Sequence, residues 1–181
     1  IISIVCAFLA VLALAGCYKP TSYPVIVEAP PPPAVALPPQ YRIAGTSVLN
    51  RPIMSLVYSQ GPDTTLILAT IHGNEPAGTS LLRHLTDYLQ KHPHLLTGRT
   101  VVLLPLANPD GMAYNSRFNA HGVDLNRNFA AANRLNNKQF GPNALSEPEA
   151  RAISQLIQQY NPDRIVSIHQ PSSCIDYDGP A

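Results

Sequence analysis

TTLILATIHGNEPAG, residues 64–78, decides how the rest of the chain is read. Residues 64–71 are uncharged, β-branched or aliphatic, a run of strand length rather than helix length. The run stops at His72; Glu75 follows three residues on, with Gly73 between them and Pro76 and Gly78 just beyond. A strand apolar on both faces implies parallel neighbours covered on both sides. Open α/β sheets gather their functional groups at the carboxyl ends of such strands. An imidazole and a carboxylate placed there raise the question of a metal.

The segments on either side fit that frame. PAGTSLLRHLTDYLQK (76–91) places Leu81, Leu82, Leu85, Tyr88 and Leu89 at helical spacing, with Pro76 near the first turn. TVVLLPL (100–106) predicts a second buried strand, closed by a turn at Asn108-Pro109-Asp110-Gly111. SEPEARAISQLIQQY (146–160) opens with a Ser146/Glu149 capping-box pattern and sets Ala150, Ile153, Ile157 and Tyr160 on one face. DRIVSI (163–168) predicts a third buried strand, ending at His169. Upstream, residues 41–61 alternate enough for a strand pair joined at Asn50-Arg51-Pro52. Buried strands alternating with amphipathic helices imply an α/β domain with a largely parallel sheet.

His72, Glu75 and His169 then lie at two strand ends that neighbouring strands would bring together. Two imidazoles and a carboxylate are a sufficient protein ligand set for one catalytic Zn2+, with a further position open to water. Gly73 is expected to let the backbone turn sharply between the first two ligands. The competing reading is two loop histidines and a loop glutamate. GVDLNRNF (122–129) packs Asp124, Asn126, Arg127 and Asn128 together. It reads as an anion-binding pocket in which Arg127 grips a carboxylate with two parallel hydrogen bonds and Asn126 adds another, or as a polar loop held by Asx turns. Arg117 is a candidate for polarising a carbonyl, or one half of a surface salt bridge. His84 reads as solvated on a helix, His92 and His94 as a solvated helix exit, and His121 as a loop residue.

The chain has 181 residues, 45% of them hydrophobic and 13% charged, with a formal net charge of +1. That balance offers no basic surface for nucleic acid. Residues 1–16 form an apolar run too short for a comfortable membrane span and read as an export signal. An uncleaved anchor helix is the other reading. Leu14-Ala15-Gly16-Cys17 resembles a bacterial lipobox, which implies cleavage before Cys17 and lipidation of that residue. Cys6 would leave with the signal, and Cys174 then has no partner for an intrachain disulfide. Residues 17–40 hold eight of the nineteen prolines, all between residues 18 and 40, and read as a semi-rigid polyproline tether or as a ligand for a proline-recognising partner. The globular part is placed at 41–181. The expected location is the exported, envelope face of a bacterial membrane, held through the lipid.

HGNE, NPDG, GVDLNRNF, SEPE and SIHQ occur in the order and setting of the zinc carboxypeptidase family, the carboxypeptidase A-like enzymes. Over roughly residues 60–181 the chain resembles that family, and most of all its bacterial murein peptide amidases, which cut the bond between γ-D-glutamate and diaminopimelate. The resemblance implies a three-layer α/β/α sandwich with a mixed, largely parallel sheet. It also implies one zinc on His72, Glu75 and His169, a substrate carboxylate on Asn126 and Arg127, and oxyanion stabilisation by Arg117. The substrate implied is a peptidoglycan-derived peptide. The family's catalytic glutamate lies well after the third ligand, beyond Ala181, and Asp176 and Asp178 do not match it. The sequence therefore reads as clipped at its start, which is not Met, and at its C-terminus. A chain of these residues alone is expected to be inactive and its sheet incomplete. Two alternatives remain open: a deacylase of the succinylglutamate desuccinylase or aspartoacylase type, and a non-catalytic wall-binding lipoprotein of the same fold.

Overall fold

The computed structural model describes residues 38–132 and 134–170. The expectations for the export segment, for Cys17 and most of the proline-rich tether, and for Cys174, Asp176 and Asp178 fall outside those residues. The described chain runs β1 (Gln40–Thr46), β2 (Pro52–Ser59), β3 (Asp63–Ala69), α1 (Ala77–Lys91), β4 (Arg99–Leu104), α2 (Pro109–Ala113), α3 (Pro148–Tyr160) and β5 (Arg164–Ile168). None of the described helices is long and apolar enough to cross a membrane.

The five strands form one sheet in the order β1-β2-β4-β3-β5. β1 pairs antiparallel with β2, and β2 antiparallel with β4. β3 pairs parallel with β4 on one side and with β5 on the other. The sheet is mixed, and parallel pairing is confined to the half that carries the His72 corner. Strand alternation divides the core between two faces. Ile53, Val57, Leu66, Leu68, Val102 and Leu104 pack with Ala152, Ile153 and Leu156 of α3. Leu56, Tyr58, Ala69 and Leu103 pack on the other side with Leu82 and Leu89 of α1. Helices on both faces make three layers. The near-continuous apolar runs of β3 and β4 follow, since each residue meets a helix layer whichever way it points. Two glycines allow close helix–sheet contact: a Cβ on Gly45 would lie 2.7 Å from that of Ala152, and one on Gly78 would lie 2.8 Å from that of Ala69.

Several local expectations change. The buried face of α1 is Gly78, Thr79, Leu82, Thr86 and Leu89, whereas Leu81 and Tyr88 are more than half exposed. Two threonines, not two more leucines, face inward, and their hydroxyls are satisfied there by the carbonyls of Pro105 and Leu82. The Ser146/Glu149 capping box does not form. Glu147 stands at the N-cap without a side-chain cap bond, and the Glu149 carboxylate instead accepts from the Val48 N–H and from Asn119. The NPDG turn is the start of α2, with the Asn108 side chain accepting from the Gly111 N–H. β5 is a strand as predicted but not a buried one. Among the described residues it lies at the sheet edge, pairs with β3 alone, and leaves Ile165 and Val166 nearly half exposed.

Candidate metal centre

β3 ends at Ala69, and Ala69 is in register with Ile168, the last residue of β5. Parallel neighbours in register release their chains side by side at the same edge. That pairing brings His169 next to the segment 70–75 although 94 residues separate it from Glu75. The donor atoms of His72, Glu75 and His169 all lie within 4.8 Å of one another. Among the described residues this is the one convergent group of three or more His, Cys, Asp or Glu side chains.

The turn that presents His72 is not made where the sequence suggests. Gly73 does not have a left-handed φ; Thr70 does, at +54°. Gly73 is required for a different reason. A Cβ there would sit 1.9 Å from the carbonyl carbon of Gly111, so the ligand loop lies flat against the backbone of α2. The segment 69–71 is held along its length. Ala107 N–H donates to Ala69 O, Asn108 N–H to Thr70 O, and the Asn108 side-chain amide to Ile71 O. Asn108 is fully buried.

Each imidazole turns one nitrogen to Glu75. His72 Nδ1 lies 2.8 Å from Oε1 and His169 Nδ1 2.9 Å from Oε2. The opposite edge of each ring is also engaged: His72 Nε2 is 3.2 Å from Asp124 Oδ1, and His169 Nε2 is 3.1 Å from Ser167 Oγ. Burial raises the Asp124 carboxyl pKa, but hydrogen bonds and charge from His72 and Arg117 outweigh it and hold the pKa at about 2. An ionised Asp124 can only accept, so Nε2 of His72 carries a proton. Nδ1 then faces a second carboxylate, and that contact is favourable only if a proton or a metal ion mediates it. Glu75 is likewise held ionised. Burial raises its pKa, but the Gln170 N–H and the two imidazoles pull it below the usual carboxylate range. A buried carboxylate flanked by two imidazoles, with His72 backed by an outer carboxylate, fits zinc on chemical grounds. His72, Glu75 and His169 are the residues that would hold it.

Arg117 donates from Nε to Asp124 Oδ2 at 2.9 Å, and its NH1 lies 3.7 Å from Glu75 Oε1. It is in an ion pair, beside the ligand set and with 40% of its side chain exposed. The 3₁₀ turn Leu125–Arg127 is capped by Asp124, whose Oδ1 accepts from the Asn126 N–H. The Asx-turn reading of this loop has its counterpart here, and the turn holds the segment that carries Arg127. Asn126 is half-buried. Arg127 is exposed, and among the described residues the bond recorded for its guanidinium goes to the Asn126 carbonyl at 3.2 Å.

His84 is exposed as expected. His92 stacks against Tyr88, with centroids 4.2 Å apart, and His94 meets it edge-on. His121 is more than a free loop residue: its Nδ1 lies 2.7 Å from Glu147 Oε2. Sequence reasoning left Thr70, Asn108 and Asp124 without roles at the site. For Asp124 a signal was available, an acid two residues before Asn126 in the densest polar motif of the chain. For Asn108 and Thr70 there was none, since their bonds depend on β3 and β4 being neighbours.

With this geometry in place, comparison with known proteins is specific. The family profile for zinc carboxypeptidase, Peptidase_M14, matches residues 39–179. Murein peptide amidase A of Escherichia coli K12 is 36% identical over 165 residues, covering 78% of this chain and 63% of that protein. The crystal structure of murein-tripeptide amidase MpaA from Escherichia coli O157 superimposes with a TM-score of 0.61 at 31% identity, covering 81% of this chain and 67% of that one. Carboxypeptidase A from Helicoverpa armigera, at 24% identity and a TM-score of 0.65 over 75% of this chain and 41% of its own, shares the fold. The chain thus spans somewhat under two thirds of the length of the curated amidase it matches.

Proposed function

The chain belongs to the zinc carboxypeptidase family, and from that premise we propose that it is a zinc-dependent amidase that hydrolyses peptidoglycan-derived peptides at the bond between γ-D-glutamate and diaminopimelate. The observation that carries the zinc chemistry is the convergence of His72, Glu75 and His169 at two paired strand ends. Support for the substrate class comes from the names of the relatives, murein peptide amidase A and murein-tripeptide amidase. Those relatives favour amide hydrolysis over the deacylase and wall-binding readings.

His72, Glu75 and His169 would hold the zinc, which would supply Lewis acidity toward the scissile carbonyl and toward water. The protein's own groups prepare that chemistry. Asp124 accepts the Nε2 proton of His72 and so keeps the Nδ1 lone pair aimed at the ligand position. Arg117 offsets the negative charge of Asp124 and Glu75, and its exposed edge is available to a developing oxyanion. Arg127 and Asn126 receive a free carboxylate of the substrate and thereby register the bond to be cut over the ligand set. The lipobox-like Leu14–Cys17 supports a further proposal, that the protein works from a lipid anchor on the envelope face of the membrane.

The test is metal analysis with turnover. The full-length protein should carry one zinc per chain and release diaminopimelate from murein tripeptide, and His72→Ala should lose both. Equal zinc content in the two proteins would remove the assignment. Zinc binding without tripeptide cleavage, together with cleavage of an N-acyl amino acid, would shift the reading to the deacylase. A mature N-terminus other than Cys17 would refute the anchor.

A further inference from the structure

We propose that Thr70 is a positioning residue for the metal centre, its left-handed backbone and its buried hydroxyl together setting where the Glu75 carboxylate stands. This rests on the zinc reading above and deepens it.

Thr70 is the one β-branched residue among the described non-glycine residues with positive φ; the others are Asn50, Asn115, Leu145 and Asn161. Branching at Cβ makes that region unfavourable. Such a conformation persists when its surroundings over-determine it, and it clusters at functional sites. Here the surroundings do so. Thr70 is fully buried, and the carbonyls before, at and after it each accept a hydrogen bond from Ala107 or Asn108. The left-handed residue redirects the chain at the end of β3, so that His72 comes off the strand toward His169.

The side chain does a second thing. Thr70 Oγ1 is 3.2 Å from the Glu75 carbonyl and 2.8 Å from Thr79 Oγ1, and Thr79 Oγ1 is 2.7 Å from the Pro105 carbonyl. Two hydroxyl protons serve these three contacts. Thr79 donates across the shortest, to Pro105, and Thr70 then shares its proton between Thr79 Oγ1 and the Glu75 carbonyl. This relay ties the main chain of Glu75 to the end of β3, to the first turn of α1 and to the exit of β4. The Glu75 N–H is bonded to the His72 carbonyl at 3.0 Å. Both sides of the Glu75 backbone are therefore pinned, and Thr70 supplies the pin that does not belong to the ligand turn. A purely architectural threonine would not need a hydroxyl on the ligand's own carbonyl.

Three substitutions separate conformation from hydroxyl. Thr70→Gly adopts the same backbone without strain and loses the hydroxyl. Thr70→Val keeps the shape and the strain and loses the hydroxyl. Thr70→Ser keeps the hydroxyl. Zinc affinity of the full-length protein is measured by competition with a chromophoric chelator, alongside the thermal midpoint of the metal-free form and the visible spectrum after cobalt substitution. Thr70→Gly and Thr70→Val should bind zinc about 10–100-fold more weakly, the range for loss of an outer partner of a ligand. Their cobalt spectra should change in intensity, while Thr70→Gly keeps a wild-type midpoint and Thr70→Ser binds as wild type does. Wild-type affinity in both Thr70→Gly and Thr70→Val would overturn the inference, as would Thr70→Ser binding as weakly as Thr70→Gly. His72→Ala is the control. If it retains wild-type affinity the zinc reading itself fails; if it loses metal while the Thr70 variants do not, only the present inference does.

Discussion

The His72–Glu75 corner and the Asn126–Arg127 turn come from equally polar stretches of sequence, yet the fold treats them in opposite ways. At the corner every polar group is held. His72 and Glu75 are buried, each engaged by at least two partners, and their backbone lies against Gly111 and under Asn108. At the turn the backbone is held by Asp124, but Arg127 is exposed, and among the described residues its guanidinium bonds only its neighbour's carbonyl. The two roles make opposite demands on their surroundings. Ligands for a metal must converge before the metal arrives, and preorganisation requires burial and outer partners. The carboxylate-binding role proposed for Arg127 needs an empty fork, because a protein carboxylate seated there would compete with a substrate.

The largest effect that would break this contrast is at the exposed arm. Arg127→Ala in the full-length protein should leave zinc affinity unchanged and weaken hydrolysis of carboxylate-bearing peptides by on the order of 2–4 kcal/mol in transition-state binding. Amidating the substrate carboxylate should hurt the wild type and barely affect the variant. Equal sensitivity of both proteins to the amide would mean that the exposed fork reads nothing.

Asp124→Asn should act on the held corner instead. An asparagine amide can donate to Nε2 of His72, which moves the ring proton to Nδ1 and occupies the ligand lone pair. Zinc affinity should fall by about 10–100-fold, as for other outer partners of ligating histidines. Unchanged affinity in a folded variant, measured by chelator competition, would show that the tautomer is set elsewhere.

The smallest effect sharpens the contrast by asking how firmly the loop shared by both regions is held. Asn119 donates from its side-chain Nδ2 to the Glu147 carboxylate and accepts from the Val123 N–H at its side-chain Oδ1, anchoring the loop that leads to Asp124. Burial raises the Glu147 pKa, but Asn119, Ser146 and His121 outweigh it and bring it below the ordinary value of 4.5. A lowered carboxylate pKa adds stability that is complete above the ordinary value and disappears as pH falls through it toward the folded one. Glu147→Gln should therefore cost about 1–2 kcal/mol at neutral pH. The cost should shrink on acidification below pH 4.5, read from urea unfolding of the metal-free protein at several pH values. A pH-independent difference would assign Glu147 a packing role only.

Much of this was legible in the residues. The apolar runs ending at His72 and His169 announced parallel strands whose tails meet, and the register of Ala69 with Ile168 brings that about. The β1–β2 pair joined near Asn50, Arg51 and Pro52 and both long helices were readable from periodicity. Their inward faces were less so, because period alone does not distinguish Leu81 from Leu82. Glu149 was misread as a cap because its partners, Val48 and Asn119, are remote in sequence. β5 carries the apolar run of a central strand, but among the described residues it stands at an edge in the order β1-β2-β4-β3-β5 and is exposed there.

Residue identity and spacing dictated which groups are able to bind metal, which stretches must be buried, and which arginine is a candidate for a carboxylate. These follow from hydropathy, periodicity and side-chain chemistry, all of which act locally. Folding alone determined that the chain bends at Thr70 while Gly73 serves close approach. It also placed Asp124 behind His72 and made Asn108 a clamp on the ligand turn. Each of those depends on residues 37–52 apart in sequence being neighbours in space. Only the packing of the sheet, α2 and the Asp124 loop supplies that neighbourhood.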